Sequence, residues 1–299
     1  MTLRPFLIPT VCAFAGLAAC GDGVSISSSH TETRDAKGVL KVVETLQCPQ
    51  TIGSLTRKGS ASAAGTVCTY IGPKGAEVSL HLVPLDDASP ADVLKAFEQR
   101  LSSDLPRAMA AINAAEAEAA RAEGEADAAG AAADSAQAES EAARLAAEPS
   151  AGRGDRASVR GPGVVIEAQG DDATVRLPGL QIETRGDKAS VRIGGFHIDA
   201  DDSTGSARVS GSSGNGDSVS INARNDAAEI RASGGGDATR VSWILTDDRN
   251  EDSRWRVVGY EARGPVGGPL VVATVRSRDR NRERAFEDAK ALVALNVGD

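Results

Sequence analysis

The sequence predicts an α+β protein: a disulfide-clipped α/β unit built from both chain ends, with a long alanine-rich helix and a β-repeat region inserted between them. Three observations predict it. A strand–strand–helix pattern stands at 66–104 and again at 254–296. Alanine fills 21 of the 44 positions from 105 to 148. From residue 157 a short strand–turn motif recurs with a period of 16 residues. Only 3% of residues are aromatic and glycine is abundant at 32, so thin layers are expected rather than one large core. The expected segments are 1–19 (leader), 20–38 (tether), 39–104 (N-terminal unit), 105–150 (alanine-rich helix), 151–240 (repeats) and 241–299 (C-terminal β-β-α unit).

The chain starts with one charge, Arg4, then an apolar run from Phe6 to Ala15, then small residues. That is the order of a secretory signal. The run is short of the ~20 residues a spanning helix needs, and Pro5 and Pro9 interrupt it. It closes on Leu17-Ala18-Ala19-Cys20, which resembles the lipobox of bacterial lipoproteins. The resemblance covers only this leader. It implies cleavage before Cys20 and acyl chains on the Cys20 thiol, so that lipid makes the membrane a partner. Gly21 stands where some lipoproteins carry an Asp for inner-membrane retention, which favours the outer membrane of the cell envelope. The rest of the chain bears only a loose likeness to bacterial surface β-repeat proteins.

Residues 1–19 hold no acid and one cation, so the remainder is one unit more acidic than the −9 of the whole chain. Such a chain repels phosphate backbones, and nucleic acid is not an expected partner. Of four cysteines, Cys12 leaves with the leader and Cys20 takes the lipid. Cys48 and Cys68 remain in an oxidising compartment, and a disulfide between them is expected. Closing that loop is worth about 3 kcal/mol in the chain-entropy model. A redox role would want a Cys-x-x-Cys pair, and the sequence has none.

Residues 21–38 are Ser/Thr-rich and aperiodic, as a tether would be. Val39–Leu46 is expected as a strand. Thr66–Ile71 and Ala76–Pro84 flank Gly72-Pro73-Lys74-Gly75 and predict a hairpin. Ser89-Pro90-Ala91-Asp92 announces a helix, with Ser89 as cap, Pro90 in the first turn, and Val93, Phe97 and Leu101 on one buried stripe. Residues 105–150 combine the strongest helix formers. Their large apolar residues are few (Met109, Ile112, Leu145), so a solvated or hairpinned helix is expected, with an oligomeric coiled coil as the alternative.

In the repeats, Ala157-Ser158-Val159-Arg160 recurs as Ala173-Thr174-Val175-Arg176 and Ala189-Ser190-Val191-Arg192. Pro162-Gly163 recurs as Pro178-Gly179 and Gly194-Gly195. Two arrangements fit, an antiparallel meander and a β-solenoid. A solenoid stacks Arg160, Arg176, Arg192 and Arg208 on one another. A meander is expected to set Glu167, Glu183 and Asp199 opposite Arg176, Arg192 and Arg208, with Ile166 facing Leu177, and opposite charges stabilise such pairs. The meander is therefore favoured, but it needs something to cover its apolar face. Beyond it, 254–263 and 269–276 are strand-like, and Asn281–Asn296 is expected as a helix with Phe286, Ala289 and Val293 inward and Gly298 as its stop.

No catalytic, metal or cofactor residues are expected. The three histidines, His30, His81 and His197, belong to no nucleophile or metal-ligand pattern. Asp199-Ala200-Asp201-Asp202-Ser203 lacks the Gly and Glu of a calcium loop, since those places hold Thr204 and Ser210. Arg153-Gly154-Asp155 and Arg185-Gly186-Asp187 spell an adhesion tripeptide that the repeat itself generates at turns. Trp243, Trp255 and Tyr260 are expected in a core rather than on a carbohydrate platform. The expected role is structural, a lipid-anchored scaffold or adaptor whose partner is an envelope protein or peptidoglycan, with oligomers forming through the alanine-rich helix. The alternative is an envelope enzyme such as a cell-wall hydrolase.

Overall fold

A computed structural model describes residues 39–62, 64–121, 124, 156–161, 164–169, 172–177, 180–249, 254–279 and 283–299. The leader, Cys20, the tether, most of 122–155, the two Pro-Gly turns and Arg153-Gly154-Asp155 lie outside them. The N-terminal part contributes β1 (Thr51–Ile52), β2 (Leu55–Arg57), β3 (Val67–Ile71), β4 (Glu77–Val83) and α1 (Pro90–Ser102). A second helix, α2, takes in 106–121 and 124 among the described residues. The repeats supply β5 (Arg156–Gly161), β6 (Val164–Gln169), β7 (Asp172–Leu177), β8 (Leu180–Arg185), β9 (Lys188–Ile193), β10 (Phe196–Asp201) and β11 (Ser206–Ser212). Then follow β12 (Ser218–Arg224), β13 (Ala227–Ser233), β14 (Thr239–Asp247), β15 (Val257–Gly264), β16 (Leu270–Ser277) and α3 (Glu283–Val297).

The sixteen strands form one antiparallel sheet. From β5 to β16 the chain meanders strand by strand, and β4 then pairs with β16, followed by β3, β2 and β1. The meander is the observed arrangement, not the solenoid. The chain ends meet in the β4–β16 pair, where Val78 faces Val275 and Leu80 faces Ala273. Cys48 and Cys68 are joined, with their Cα atoms 6.3 Å apart.

Two helices cover the joined ends from opposite faces. α3 lies on Val78 and Leu80 of β4 and on Val271, Ala273 and Val275 of β16, through Ala285, Ala289, Leu292 and Val293. Gly259 permits this approach, because a Cβ there would come within 2.8 Å of the Phe286 ring. Asp288 on α3 also holds the β1–β2 turn, accepting from Ser54 N at 2.8 Å. Gly53 in that turn has φ +53°, and a Cβ on it would collide with the Asp288 carboxylate. On the other face, Leu94, Phe97 and Leu101 of α1 pack with Trp243, Val258, Tyr260 and Val272. The two chain ends form one unit, as expected, but their helices do not touch across it, because β16 is buried on both faces and separates them. Ser89 caps α1, accepting from Asp92 N at 3.2 Å.

Three further expectations are corrected. Residues 39–46 form no strand; their one deep anchor is Leu40, and Lys41 N donates to Val297 O at 2.9 Å. The start of the alanine-rich helix is packed rather than solvated, since Leu105, Ala108 and Ile112 are buried against the sheet. The charge register also differs in part. A two-residue turn at Gly186-Asp187 sets Glu183 opposite Ser190 and Gln181 opposite Arg192. Glu167 likewise faces Thr174, and Ile166 pairs with Val175. Only the four-residue connection Asp202–Gly205 shifts the register far enough to oppose Asp199 to Arg208.

Candidate functional site

In the repeat half, strand alternation divides the sheet into two unlike faces. On the face continuous with α3, the register aligns three rows across β7–β13. The central row is Val175, Ile182, Val191, Ile198, Val209, Ile221 and Ile230. Beside it runs a small-residue row of Ala173, Thr184, Ala189, Ala200, Ala207, Ala223 and Ala228. The third row holds Leu177, Leu180, Ile193 and Phe196, then Gly211, Val219 and Ala232. No charged residue stands on this face from β7 to β13. No helix among the described residues covers it beyond α3, and Ile193 and Phe196 are 52% and 53% exposed. Burying apolar area is worth about 25 cal/mol per Å², a gain that the described residues leave unused on this face.

The opposite face is charged, and α2 crosses it as far as β12. Glu118 accepts from Arg224 Nη1 at 2.8 Å, and Glu116 accepts from Asn222 Nδ2 at 3.1 Å. Between α2 and β8–β12 lies an open groove of about 630 Å³. Its floor mixes Arg185, Lys188, Arg192 and Arg208 with Glu183, Asp199 and Asp201, while Glu116 and Glu118 form the wall. Several of these charges neutralise one another locally. Arg185 meets Glu183 at 2.5 Å and Lys188 meets Asp201 at 3.6 Å. Arg208 Nε donates to Asn222 Oδ1 at 3.2 Å. A floor of alternating sign gives a uniformly charged polymer little net attraction.

The groove brings together three residues that the sequence kept apart. Ser190 Oγ and Asp199 Oδ1 lie 3.1 and 3.0 Å from the same ring nitrogen, Nε2 of His197. A nucleophilic triad needs the serine on one imidazole nitrogen and the carboxylate on the other. With both on Nε2, the aspartate cannot orient the ring for proton transfer from the serine. The acid beside them points the same way. Asp201 is held below the ordinary carboxylate range, first by the Ser203 hydroxyl, then by Thr204 N–H and Lys188. A general acid needs the opposite displacement. The acidic run 199–203 is a turn, in which Asp201 accepts from Ser203 Oγ at 2.5 Å. Among the described residues, no group of three or more His, Cys, Asp or Glu side chains is placed to hold a metal ion.

No family model, curated protein or solved structure matches this chain.

The remaining perturbed groups serve packing. Glu98 of α1 accepts both guanidinium nitrogens of Arg231, at 2.7 and 2.8 Å, and the Tyr260 hydroxyl at 2.6 Å. Burial and this carboxylate push the Tyr260 hydroxyl pKa far up. Trp243 stacks on Tyr260 with ring centres 5.9 Å apart and donates from Nε1 to Glu229 at 2.6 Å. Trp243, Trp255 and Tyr260 are all at most 5% exposed, so no flat aromatic platform faces solvent there. Glu261 lies on the α3 face; burial raises its pKa and Arg263 and Lys290 oppose the rise. His81 is pushed down to about 4, chiefly by burial and then by Arg100 and Arg276.

Sequence reasoning named Arg192, His197 and Asp199, but its register set Arg192 opposite Glu183 and did not gather the three around one groove. The buried contacts of Leu105, Ala108 and Ile112 were also missed. Their signal was present: an i, i+3, i+7 apolar spacing at the head of the alanine-rich segment.

Proposed function

We propose that this chain is a lipid-anchored protein of the cell envelope with a scaffold or adaptor role, its repeat sheet serving as the binding platform. Leu17-Ala18-Ala19-Cys20 supports the anchor on Cys20. One observation carries the platform: seven consecutive strands, β7–β13, present a face without a single charge, and no described residue covers it beyond α3. Holding that much apolar area in water is unfavourable, so the surface suits contact. The mixed-charge groove on the other side supplies polar specificity for an envelope protein or peptidoglycan. A hydrolase reading draws on Ser190, His197 and Asp199, and their shared nitrogen argues against it.

One in-cell experiment tests the anchor and the charged side of the platform. Photo-cross-linkers at Gln181 and Arg192 are introduced into the full chain, with and without Cys20→Ser. The expected result is a light-dependent adduct with one envelope protein or with peptidoglycan in the membrane fraction. Cys20→Ser is expected to move the chain into the soluble fraction. No adduct at either site would overturn the adaptor role, and a Cys20→Ser chain that still pellets with membranes would overturn the anchor.

A further inference from the structure

We infer that the occupant of the uncharged sheet face is a second copy of this chain, packed face to face on the first. The inference deepens the platform reading and rests on it. Its basis is the shape of the face. A ridge of β-branched side chains, with Val191, Ile198 and Val209 at its centre, runs across seven strands. Alongside it runs a trough, floored by Ala189, Ala200 and Ala207. The two rows are two residues apart along each strand, about 7 Å. The surface therefore carries both a ridge and a matching trough, and a two-fold axis can bring each onto the other.

The axis that does so lies in the plane between the sheets, parallel to the rows and above the line separating ridge from trough. Rotation about it sets the ridge of one copy in the alanine trough of the other, and the reverse, so both are filled at once. Interdigitated side chains of this kind build the cores of β-sandwiches, where two sheets stack about 10 Å apart. The two facing rows, about 14 Å along the strands over seven strands, cover roughly 470 Å² on each copy, or roughly 950 Å² in total, the size of a weak, reversible interface. A partner bearing charges would have to bury them unpaired against this face. A lipid surface would fill the trough without shape selection and would leave the free β5 edge of the sheet unsatisfied in hydrocarbon.

The same axis makes a specific prediction about the third row. Phe196 lies on the far side of the ridge from the alanines, so in the pair it overhangs the end of the second copy's strands. The segment beneath it is the Asp202–Gly205 turn of the second copy, which follows the alanine row on β10.

The test places p-benzoylphenylalanine at Phe196 of the full chain in cells. The expected product is a light-dependent adduct of twice the chain's mass, containing only this chain's peptides, with the cross-link in the 202–205 segment. Ala200→Leu fills the trough from an outward-facing position and leaves the isolated sheet intact. It is expected to lower the adduct at least fivefold while the melting temperature of the dilute monomer stays the same. An adduct with lipid or with a different protein, no adduct at all, or a yield unchanged by Ala200→Leu overturns the pairing. The Gln181 and Arg192 probes report on the opposite face. A foreign partner there without a self-adduct at Phe196 removes only the pairing, and a self-adduct without a foreign partner removes only the adaptor role.

Discussion

The layered half of the sheet, β14–β16 with β4, and the repeat half, β7–β12, are built from strands of similar length in the same antiparallel ladder. They differ in what lies on each side. In the layered half, β16 reads Leu270-Val271-Val272-Ala273 and buries both faces, one under α1 and one under α3. In the repeat half apolar residues alternate with charges, and one face is left open. Every described Phe, Tyr and Trp ring but Phe196 packs in the two cores about the layered half: Tyr70, Phe97, Trp243, Trp255, Tyr260 and Phe286. The scarce aromatics are thus concentrated where three layers meet, and among the described residues β7–β11 extend as a single layer whose stability rests on ladder bonds and cross-strand pairs. A single layer leaves apolar surface for use by something else.

That contrast can be broken most forcefully by truncation on each side. Trp243→Ala removes a ring that is 1% exposed and stacked on Tyr260, and should cost about 3–5 kcal/mol of unfolding free energy. Ile198→Ala in the repeat row, 38% exposed in a single copy, should cost about 1 kcal/mol in dilute monomer. Urea unfolding of both variants checks the pair of values. Equal costs would mean that the repeat face is as fully buried as the layered core.

A second, smaller contrast concerns pH. His81 sits under α1 with its ring edge-on to Phe97, 5.5 Å between ring centres, and near Arg100 and the Asp104-paired Arg276. Its folded pKa of about 4 lies below the ordinary value of 6.5. Between those values the unfolded chain binds the extra proton, so stability is full above 6.5 and is lost as pH falls towards 4. The loss approaches about 3 kcal/mol. Thermal melts at pH 7 and pH 5 should show a fall in wild type that His81→Gln largely removes.

The sequence disclosed what depends on residue type and period. With Cys12 and Cys20 assigned to the leader, Cys48 and Cys68 had one partner each. The 16-residue period exposed the repeats, and stacked arginines spoke for the meander. What it hid depends on register and on faces. Whether Glu183 opposes Arg192 or Ser190 turns on where a two-residue turn sits, and a turn at Gly186-Asp187 rather than one residue later chose Ser190. The opposite placement of α1 and α3 did have a signal, because a continuous apolar run such as Leu270–Ala273 marks a strand buried on both faces. β1 and β2, of two and three residues, are too short to carry a period. The meeting of Ser190, His197 and Asp199 needed the hairpin register as well as the residues.

The smallest expected difference separates two ion pairs, one from each half. In the layered half, Glu98 accepts two bonds from Arg231 and one from the buried Tyr260 hydroxyl. Arg231 is partly exposed, which screens the charge pair, but the hydroxyl is not, and an unpartnered buried hydroxyl costs about 1–3 kcal/mol. Glu98→Ala should therefore destabilise by about 2 kcal/mol, and pairing it with Tyr260→Phe should recover much of that loss, since the orphaned group is gone. In the repeat half, Lys188 meets Asp201 at 3.6 Å with the lysine 58% exposed. Solvent and side-chain entropy leave such a pair worth about 0–1 kcal/mol. Lys188→Ala should shift the urea midpoint barely at all, with no rescue by a change at Asp201. A large Lys188 effect would show that the charged face of the repeats is covered in solution and that the single layer has a roof on that side too.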